Sequence, residues 1–287
     1  MVDVGDHTWR CRDHVFPLGE RTLIMGIVNV TPDSFSDGGM FAGPGDAVKH
    51  GLQLIADGAD ILDVGGESTR PGADPVEVDE EIARVAPVIE GIHAEAPDAV
   101  VSVDTRRAEV ARLAIEAGAS IVNDVTAAAE PGTLPLVRET GAGLILMHMQ
   151  GEPRTMQDRP TYVDVVSNVR DFLAGRIGAA VAAGIPRHQL CVDPGIGFGK
   201  NLGHNLELLR DIGSFRDLRV PVAVGVSRKG FIGQLTGADD PADRVEGTAG
   251  AVAWCASQGV DVVRVHDVRQ MGRVVRVVDS IARAVDR

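Results

Sequence analysis

Eight short runs of apolar, mostly β-branched residues recur along the chain, and longer amphipathic stretches separate them. In most runs the apolar residues stand on successive positions, which is typical of strands buried on both faces of a parallel sheet. Strands that alternate with helices in this way predict a parallel sheet covered by helices. The predicted strands are residues 22–29, 60–64, 100–104, 120–123, 143–147, 189–193, 221–227 and 261–265.

The separating stretches have helical spacing. In residues 47–56, Val48, Leu52 and Ile55 fall on one helical face, and residues 79–95, 162–183 and 271–285 show the same pattern. Glycine follows several of these stretches directly, at the position where a helix commonly turns back into a strand. These glycines are Gly58, Gly118, Gly184 and Gly259.

Eight strands with eight intervening helices predict an α/β fold, a single (β/α)8 TIM barrel. The alternative is an open doubly wound sheet, but its G-x-G-x-x-G fingerprint is missing after the first strand. No Pro- or Ser-rich linker interrupts the chain after residue 20, so we expect one barrel domain of residues 22–287. Residues 1–21 form an N-terminal extension. Within it, segment 8–11 and a turn at residues 16–19 predict a small hairpin that caps the N-terminal end of the barrel.

The charge balance and the cysteines exclude several classes of protein. Lys and Arg number 28 against 41 Asp and Glu, a net charge of −13, which argues against broad contact with nucleic acid or an anionic membrane. No stretch reaches the length of a transmembrane helix. The three cysteines are isolated, which argues against a disulfide framework or a cysteine zinc site. We therefore expect a cytoplasmic protein.

Polar residues stand at the end of every predicted strand, where a barrel of this kind carries its chemistry. Asp or Asn at one such position is also explained by helix capping, but capping does not explain all eight ends together. The set Asp104, Asn123, Asp193 and Lys229 combines acceptors and donors. This combination suits a flat heteroaromatic ring with amino, ring N–H and carbonyl groups.

A second group at the strand ends is cationic. Arg70, Arg264 and His266 lie near Asn29 if the barrel closes. In a chain with a net charge of −13, such a local concentration of donors predicts a phosphate or pyrophosphate site.

Eight segments of the chain resemble the signatures of bacterial dihydropteroate synthases. The resemblance runs from about residue 22 to 285, and its first, second and sixth segments are the most specific. No motif residue departs from the family pattern. The segments are residues 25–39, 63–72, 102–105, 123–124, 147–151, 193–200, 227–229 and 264–268.

The resemblance implies that 6-hydroxymethyl-7,8-dihydropterin pyrophosphate is joined to p-aminobenzoate, with release of pyrophosphate. It implies Mg²⁺ held at Asn29. Two loops, residues 31–40 and 66–75, carry several Gly and Pro residues, and we expect them to close as lids that exclude water. A homodimer is expected from the resemblance and from the frequency of two-fold symmetric pairs, with the last two helices as the candidate surface. The implied pterin pocket contains Asp104, Asn123, Asp193 and Lys229, and Met147 is a further expected substrate-binding residue. The implied pyrophosphate end contains Asn29, Arg70, Arg264 and His266. The implied aminobenzoate site contains Phe35, Thr69, Arg70, Pro71, Phe198 and Lys229. The expected catalytic residues are Asp33, Phe35, Thr69, Arg70, Lys229, Arg264 and His266.

Two other functions are compatible with such a barrel. A pterin-dependent methyltransferase uses a similar pocket, but it does not need Lys229, Arg70 or the first-loop segment 31–39. A non-catalytic relative that binds pterin or only assembles would keep the fold, and the intact motifs argue against it. Because the aminobenzoate site draws on both lid loops, we expect ordered binding, with pterin pyrophosphate and Mg²⁺ before aminobenzoate.

Overall fold

Eight parallel strands form a barrel in the computed structural model, which describes residues 8–30, 43–68 and 72–283. These strands are β3 Leu23–Asn29, β4 Ile61–Gly65, β5 Val100–Asp104, β6 Ile121–Asp124, β7 Gly143–Met147, β8 Leu190–Asp193, β9 Ala223–Gly225 and β10 Val262–Val265. Their order is β8-β7-β6-β5-β4-β3-β10-β9, and a parallel bridge between Val192 and Val222 links the two outermost strands. The predicted barrel is therefore confirmed, and the alternative of an open sheet is wrong.

Helices follow the strands on the outside of the barrel. Two helices connect β9 to β10. The prediction of a single helix after each strand was therefore wrong at this connection. Strand β9 is also shorter than the predicted 221–227, because Pro221 has no N–H to donate and Val226 already turns, accepting from the Lys229 amide. The helices are α1 Pro44–Ala56, α2 Val78–Glu95, α3 Ala108–Glu116, α4 Thr133–Thr140, α5 Val165–Ala182, α6 Leu202–Arg210, α7 Gly230–Thr236, α8 Val245–Ser257 and α9 Val268–Ala282.

The N-terminal hairpin is present, but its turn was predicted at the wrong place. Strand β1 (Thr8–Cys11) pairs antiparallel with β2 (His14–Pro17). The turn lies at Arg12, which has a φ of 55°, and not at 16–19. The Arg12 amide donates to the Gly141 carbonyl at 2.8 Å, and its guanidinium donates to the Ala119 carbonyl at 3.1 Å. These contacts with the barrel stabilise a turn that no local Gly or Asn signal marks.

Inside the barrel, the side chains change from apolar to polar along the strands. At the N-terminal end, Trp9 and Cys11 of the hairpin belong to one buried apolar cluster with inward-facing residues from all eight strands. Further along, the inward positions carry Asp63, Ser102 and Asn123. Because side chains alternate across a strand, the outward positions remain apolar and pack against the helices. The hairpin therefore closes one end of the barrel, and polar groups collect toward the other.

The described helices and thiols bear on two further expectations. Among the residues that the structure describes, no helix is long and apolar enough to cross a membrane. Cys11, Cys191 and Cys255 are all buried as free thiols.

Candidate active site

An arginine at the centre of the barrel joins carboxylates from two strands. Arg264 of β10 donates from Nε to Oδ2 of Asp63 on β4 at 2.5 Å, and from Nη2 to Oδ2 of Asp104 on β5 at 2.8 Å. Asn123 of β6 donates from Nδ2 to the same Asp63 oxygen at 3.0 Å. Strands β10, β4, β5 and β6 thus bring three predicted residues together, since Arg264 and Asn123 both contact Asp63 and Arg264 also contacts Asp104.

Asp63 is a residue of this cluster that was not predicted from the sequence. Its side chain is fully buried, and it is the common partner of Arg264 and Asn123. The available signal was a carboxylate between the apolar residues Leu62 and Val64, since a buried carboxylate is rarely tolerated without a partner. Asp63 therefore orients two residues that the sequence did predict.

Several buried acceptors in this cluster have no hydrogen-bond partner in the described part of the chain. They are Oδ1 of Asp63, Oδ1 of Asp104 and Oγ of the neighbouring Ser102. Buried polar atoms are normally paired, and exceptions call for a functional explanation. The cluster can therefore accept further hydrogen bonds, as a site for a ligand rich in N–H groups requires.

The electrostatics of Asp104 reflect this burial. Loss of hydration raises the pKa of its carboxyl to about 7, with Arg264 acting against the shift and Asp63 adding to it. A carboxyl that titrates near neutrality in a concave site is a feature of functional positions.

A second group of predicted residues meets around the loop after β8. Asp193, at the end of β8, accepts from the Gly195 amide at 2.7 Å. The Lys229 amine donates to the Ile196 carbonyl and lies 4.5 Å from the centroid of the Phe198 ring. Asp193, Phe198 and Lys229 are thus gathered by this loop.

Burial also shifts the pKa values in this group. It raises the pKa of Asp193, with Lys229 opposing the shift, and it lowers the pKa of Lys229 to about 8, with Asp193 opposing. The charge of Arg264 influences both groups. The second group therefore shares one electrostatic environment with the cluster around Asp104.

Glycine allows the loop after β8 to approach its neighbour. Gly195 and Gly199 have φ values of +69° and +58°, which favour glycine. A Cβ on Gly195 would lie 1.9 Å from the His148 carbonyl oxygen, and one on Gly199 would lie 2.3 Å from that of Gln150. The loops after β7 and β8 are therefore packed backbone to backbone.

Three further predicted residues lie around these groups. Met147 is buried at the end of β7, in register with Asp193. The His266 ring Nδ1 lies 3.0 Å from Oγ of Ser227, which also accepts from the His266 amide at 3.1 Å. Asn29 ends β3 half-buried, in register with Gly65. Arg264, which the sequence analysis groups with the phosphate end, donates to Asp104 of the ring group.

The remaining predicted residues belong to the two lid loops. Glu67 accepts from the Val76 amide at 3.1 Å and from Nε of Arg106 at 3.1 Å. Glu67, near the start of the second loop, therefore contacts Val76 just beyond the end of that loop and Arg106 in the loop after β5. The predicted residues outside the described part of the chain are Asp33, Phe35, Thr69, Arg70 and Pro71.

Fold and site together define a barrel with buried carboxylates, an amide and cations at the carboxyl ends of its strands. The pterin binding enzyme family model matches residues 25–266, and the chain belongs to this family, within it to the dihydropteroate synthases. The dihydropteroate synthase of Escherichia coli (strain K12) is 48% identical over 257 residues, 90% of each chain.

Two solved structures extend the comparison to three dimensions. Dihydropteroate synthase of Xanthomonas albilineans with 4-aminobenzoic acid has a TM-score of 0.91 and 45% identity, over 98% of this chain and 100% of that one. The same organism's enzyme in complex with 7,8-dihydropteroate has a TM-score of 0.87 and 43% identity, over 97% and 100%. The fold and the family are therefore the same at both levels of comparison.

Proposed function

We propose that this chain catalyses the dihydropteroate synthase reaction. The C–O bond between the pterin methylene and pyrophosphate breaks, the arylamine nitrogen of p-aminobenzoate bonds to that methylene, and the nitrogen loses a proton. The observation that carries the proposal is the pair of connected groups at one end of the barrel. Buried carboxylates with spare acceptor capacity stand beside a lysine that contacts an aromatic ring.

The group around Asp63 supplies the pterin pocket in this proposal. Because Nδ2 of Asn123 donates to Asp63, its amide oxygen is the atom available to a ring N–H. The carboxylates of Asp104 and Asp193 accept from the amino and N–H groups of the pterin. Two carboxylates beside the ring also stabilise the positive charge that develops at the methylene as pyrophosphate departs.

The group around Lys229 positions the second substrate. Its amine lies between the Ile196 carbonyl and the Phe198 ring, next to Asp193. Attack by an arylamine depends on orientation more than on a strong base, so this packing is the main contribution of the loop. His266, held by Ser227, and Arg264 stabilise the charge on the leaving pyrophosphate.

Magnesium fits the residues at the end of β3. Among the described residues, no group of three or more His, Cys, Asp or Glu side chains forms a metal cluster. Mg²⁺ commonly takes only one or two protein oxygens and completes its shell with water and phosphate, and the Asn29 amide oxygen supplies one such ligand. When bound there, Mg²⁺ would neutralise charge on the pyrophosphate. Asn29→Ala is expected to raise the Mg²⁺ concentration that gives half-maximal activity.

The decisive test measures pyrophosphate release with and without p-aminobenzoate, and identifies the product by mass spectrometry. The proposal expects release that depends on p-aminobenzoate, with one dihydropteroate formed for each pyrophosphate. Release independent of p-aminobenzoate indicates a hydrolase, and binding of pterin without release indicates a non-catalytic protein. Either result contradicts the proposal.

A substitution tests the pterin pocket separately. Asp193→Ala is expected to weaken binding of pterin pyrophosphate by about 2–4 kcal/mol, because a buried charge-assisted hydrogen bond is lost. Calorimetry on the folded variant measures this change. Unchanged affinity would remove Asp193 from the pocket.

We also propose that the two substrates bind in a fixed order. Aminobenzoate is expected to bind tightly only after pterin pyrophosphate, or after pyrophosphate with Mg²⁺. Tight binding of labelled aminobenzoate to the protein alone contradicts this order.

We further propose a homodimer, supported by exposed apolar residues Val277 and Ile281 on α9. A cytoplasmic location is supported by three buried free thiols, which are typical of a reducing compartment.

A further inference from the structure

Lys200 ends the loop after β8 and is buried, with 2% of its surface exposed. Its amine donates to the Phe198 carbonyl at 2.9 Å, to the His148 carbonyl at 3.3 Å and to Nδ1 of His148 at 3.0 Å. An ammonium group has three N–H bonds, and three acceptors surround it here. The acceptors come from two loops, those after β7 and β8, so one side chain joins them.

His148 is suited to this role as an acceptor. An ammonium group cannot accept a hydrogen bond, so Nδ1 of His148 must be unprotonated when it faces Lys200. Burial, followed by the charge of Lys200, lowers the pKa of His148 to about 3. The ring is held edge-on by Phe172 of α5, with centroids 4.9 Å apart.

The loop joined in this way carries the atoms that contact Lys229. Between Asp193 and Lys200 lie the Ile196 carbonyl, which accepts from Lys229, and the Phe198 ring, 4.5 Å from the Lys229 amine. Lys200 holds the carbonyl of Phe198 itself. A shift at Lys200 is therefore transmitted to the ring and to the lysine amine.

Stability alone does not account for a lysine at this position. Burial lowers the pKa of Lys200 to about 7, so the charge is held there at a cost. An apolar side chain of similar length fills such a space without that cost, and replacing buried charges by apolar residues is often neutral or stabilising. We therefore attribute the lysine at position 200 to the directional hydrogen bonds that its ammonium group makes with the two loops.

We propose that Lys200 is a positioning residue, and that with His148 it forms a buried clamp that orients the loop 194–200 for the second substrate. The clamp fixes the Phe198 ring and the Ile196 carbonyl against Lys229. The inference rests on the proposed function in one respect, since aminobenzoate is the substrate assigned to Phe198 and Lys229.

The first experiment measures the clamp without any substrate. The Phe198 amide donates to the Gly195 carbonyl, and the Gly197 amide donates to the Asn205 side chain, so hydrogen exchange at both amides reports the loop geometry. Lys200→Met and His148→Leu are expected to speed exchange at these amides by about tenfold or more. His148→Asn is the matched control, because its amide oxygen restores an acceptor near the Nδ1 position, and its exchange should stay close to wild type.

The second experiment separates positioning from general stabilisation. In Lys200→Met and His148→Leu, the KM for p-aminobenzoate is expected to rise by about tenfold, while the KM for pterin pyrophosphate changes by less than about twofold. His148→Asn should restore most of the p-aminobenzoate KM. A merely structural lysine would reduce the active fraction, which lowers kcat and leaves both KM values unchanged.

The two experiments fail independently. Exchange that is unchanged in Lys200→Met overturns the clamp, as does a loss of kcat with unchanged KM values or an equal rise in both KM values. Failure of the wild-type protein to form dihydropteroate overturns the proposed function instead, and the exchange comparison still decides whether the clamp exists.

Discussion

Asp104 shows how a single residue links the site to stability. Burial raises the pKa of its carboxyl to about 7, despite the opposing charge of Arg264. An unfolded Asp titrates near pH 4, so between about pH 4 and about pH 7 the folded state binds more protons than the unfolded state. The contribution of Asp104 to stability is therefore present below this window and is lost as the pH rises through it.

The different proton binding of the folded and unfolded states predicts how the effect of an Asp104 substitution on stability changes with pH. The melting temperature of Asp104→Asn, minus that of the wild type, is expected to increase from about pH 4 to about pH 7, because the variant no longer titrates there. Thermal unfolding at several pH values measures the difference. Asp98→Asn, at an exposed position, is the control for removing a carboxylate from the surface. A flat or falling difference for Asp104→Asn would show that its charge is not held at a cost.

At the scale of elements, the N-terminal hairpin stabilises the barrel from the end opposite the site. Trp9 is fully buried, and its indole N–H donates to the Gln189 carbonyl at 3.1 Å. Trp9→Ala is expected to lower the free energy of unfolding by about 3–5 kcal/mol, because it leaves a cavity under the barrel. Val15→Ala, on the same hairpin but 45% exposed, should change it by less than about 0.5 kcal/mol.

Denaturant unfolding measures both hairpin variants, and steady-state kinetics provides the second readout. The KM values of the folded Trp9→Ala protein should match those of the wild type, because the hairpin does not contact the described site groups. A change in either KM without a loss of stability would contradict the assignment of the hairpin to stability.

Alanine substitutions at two glycines test how closely the loop after β8 packs against its neighbour. Gly195 and Gly237 both have φ values in the left-handed region, +69° and +76°, but only Gly195 has a neighbour where a Cβ would stand. Gly237→Ala is expected to cost about 1 kcal/mol of stability from backbone strain alone. Gly195→Ala adds a clash with the His148 carbonyl, and it should lose most synthase activity as well as more stability.

Activity assays and denaturant unfolding of the two glycine variants test this difference. Equal losses in both variants would mean that the close approach of the two loops does not matter, and that only the backbone conformation does.

At the scale of the whole molecule, the last two helices carry the proposed dimer surface. Val277 and Ile281 on α9 are 60% and 77% exposed, one helical turn apart. Light scattering is expected to give about twice the chain mass of 30.2 kDa for the wild type. Replacing both residues by Asp should reduce this to the chain mass. Val181→Asp on α5, at a residue 42% exposed, is the control and should leave the mass unchanged.

Local patterns in the sequence predicted the barrel and the polar residues that the structure places at the ends of its strands. Runs made mainly of apolar residues predicted β5 and β7 with their observed bounds, because strands buried on both faces are mostly apolar. The polar residues that end these runs, Asp104 among them, were selectable because one end of every strand points to the same rim. The family resemblance added the identity of the substrates, which residue chemistry alone left at the level of a ring and a phosphate.

Tertiary structure alone decided the contacts between distant strands. The pairing of Arg264 with Asp63 and Asp104 joins residues 201 and 160 positions apart, and no local pattern encodes such a distance. The same holds for the turn at Arg12, which contacts with the barrel stabilise, and for Lys200, whose partner His148 lies 52 positions away. Burial and pairing depend on which strands close the barrel side by side, whereas secondary structure and strand ends depend on neighbours in the chain.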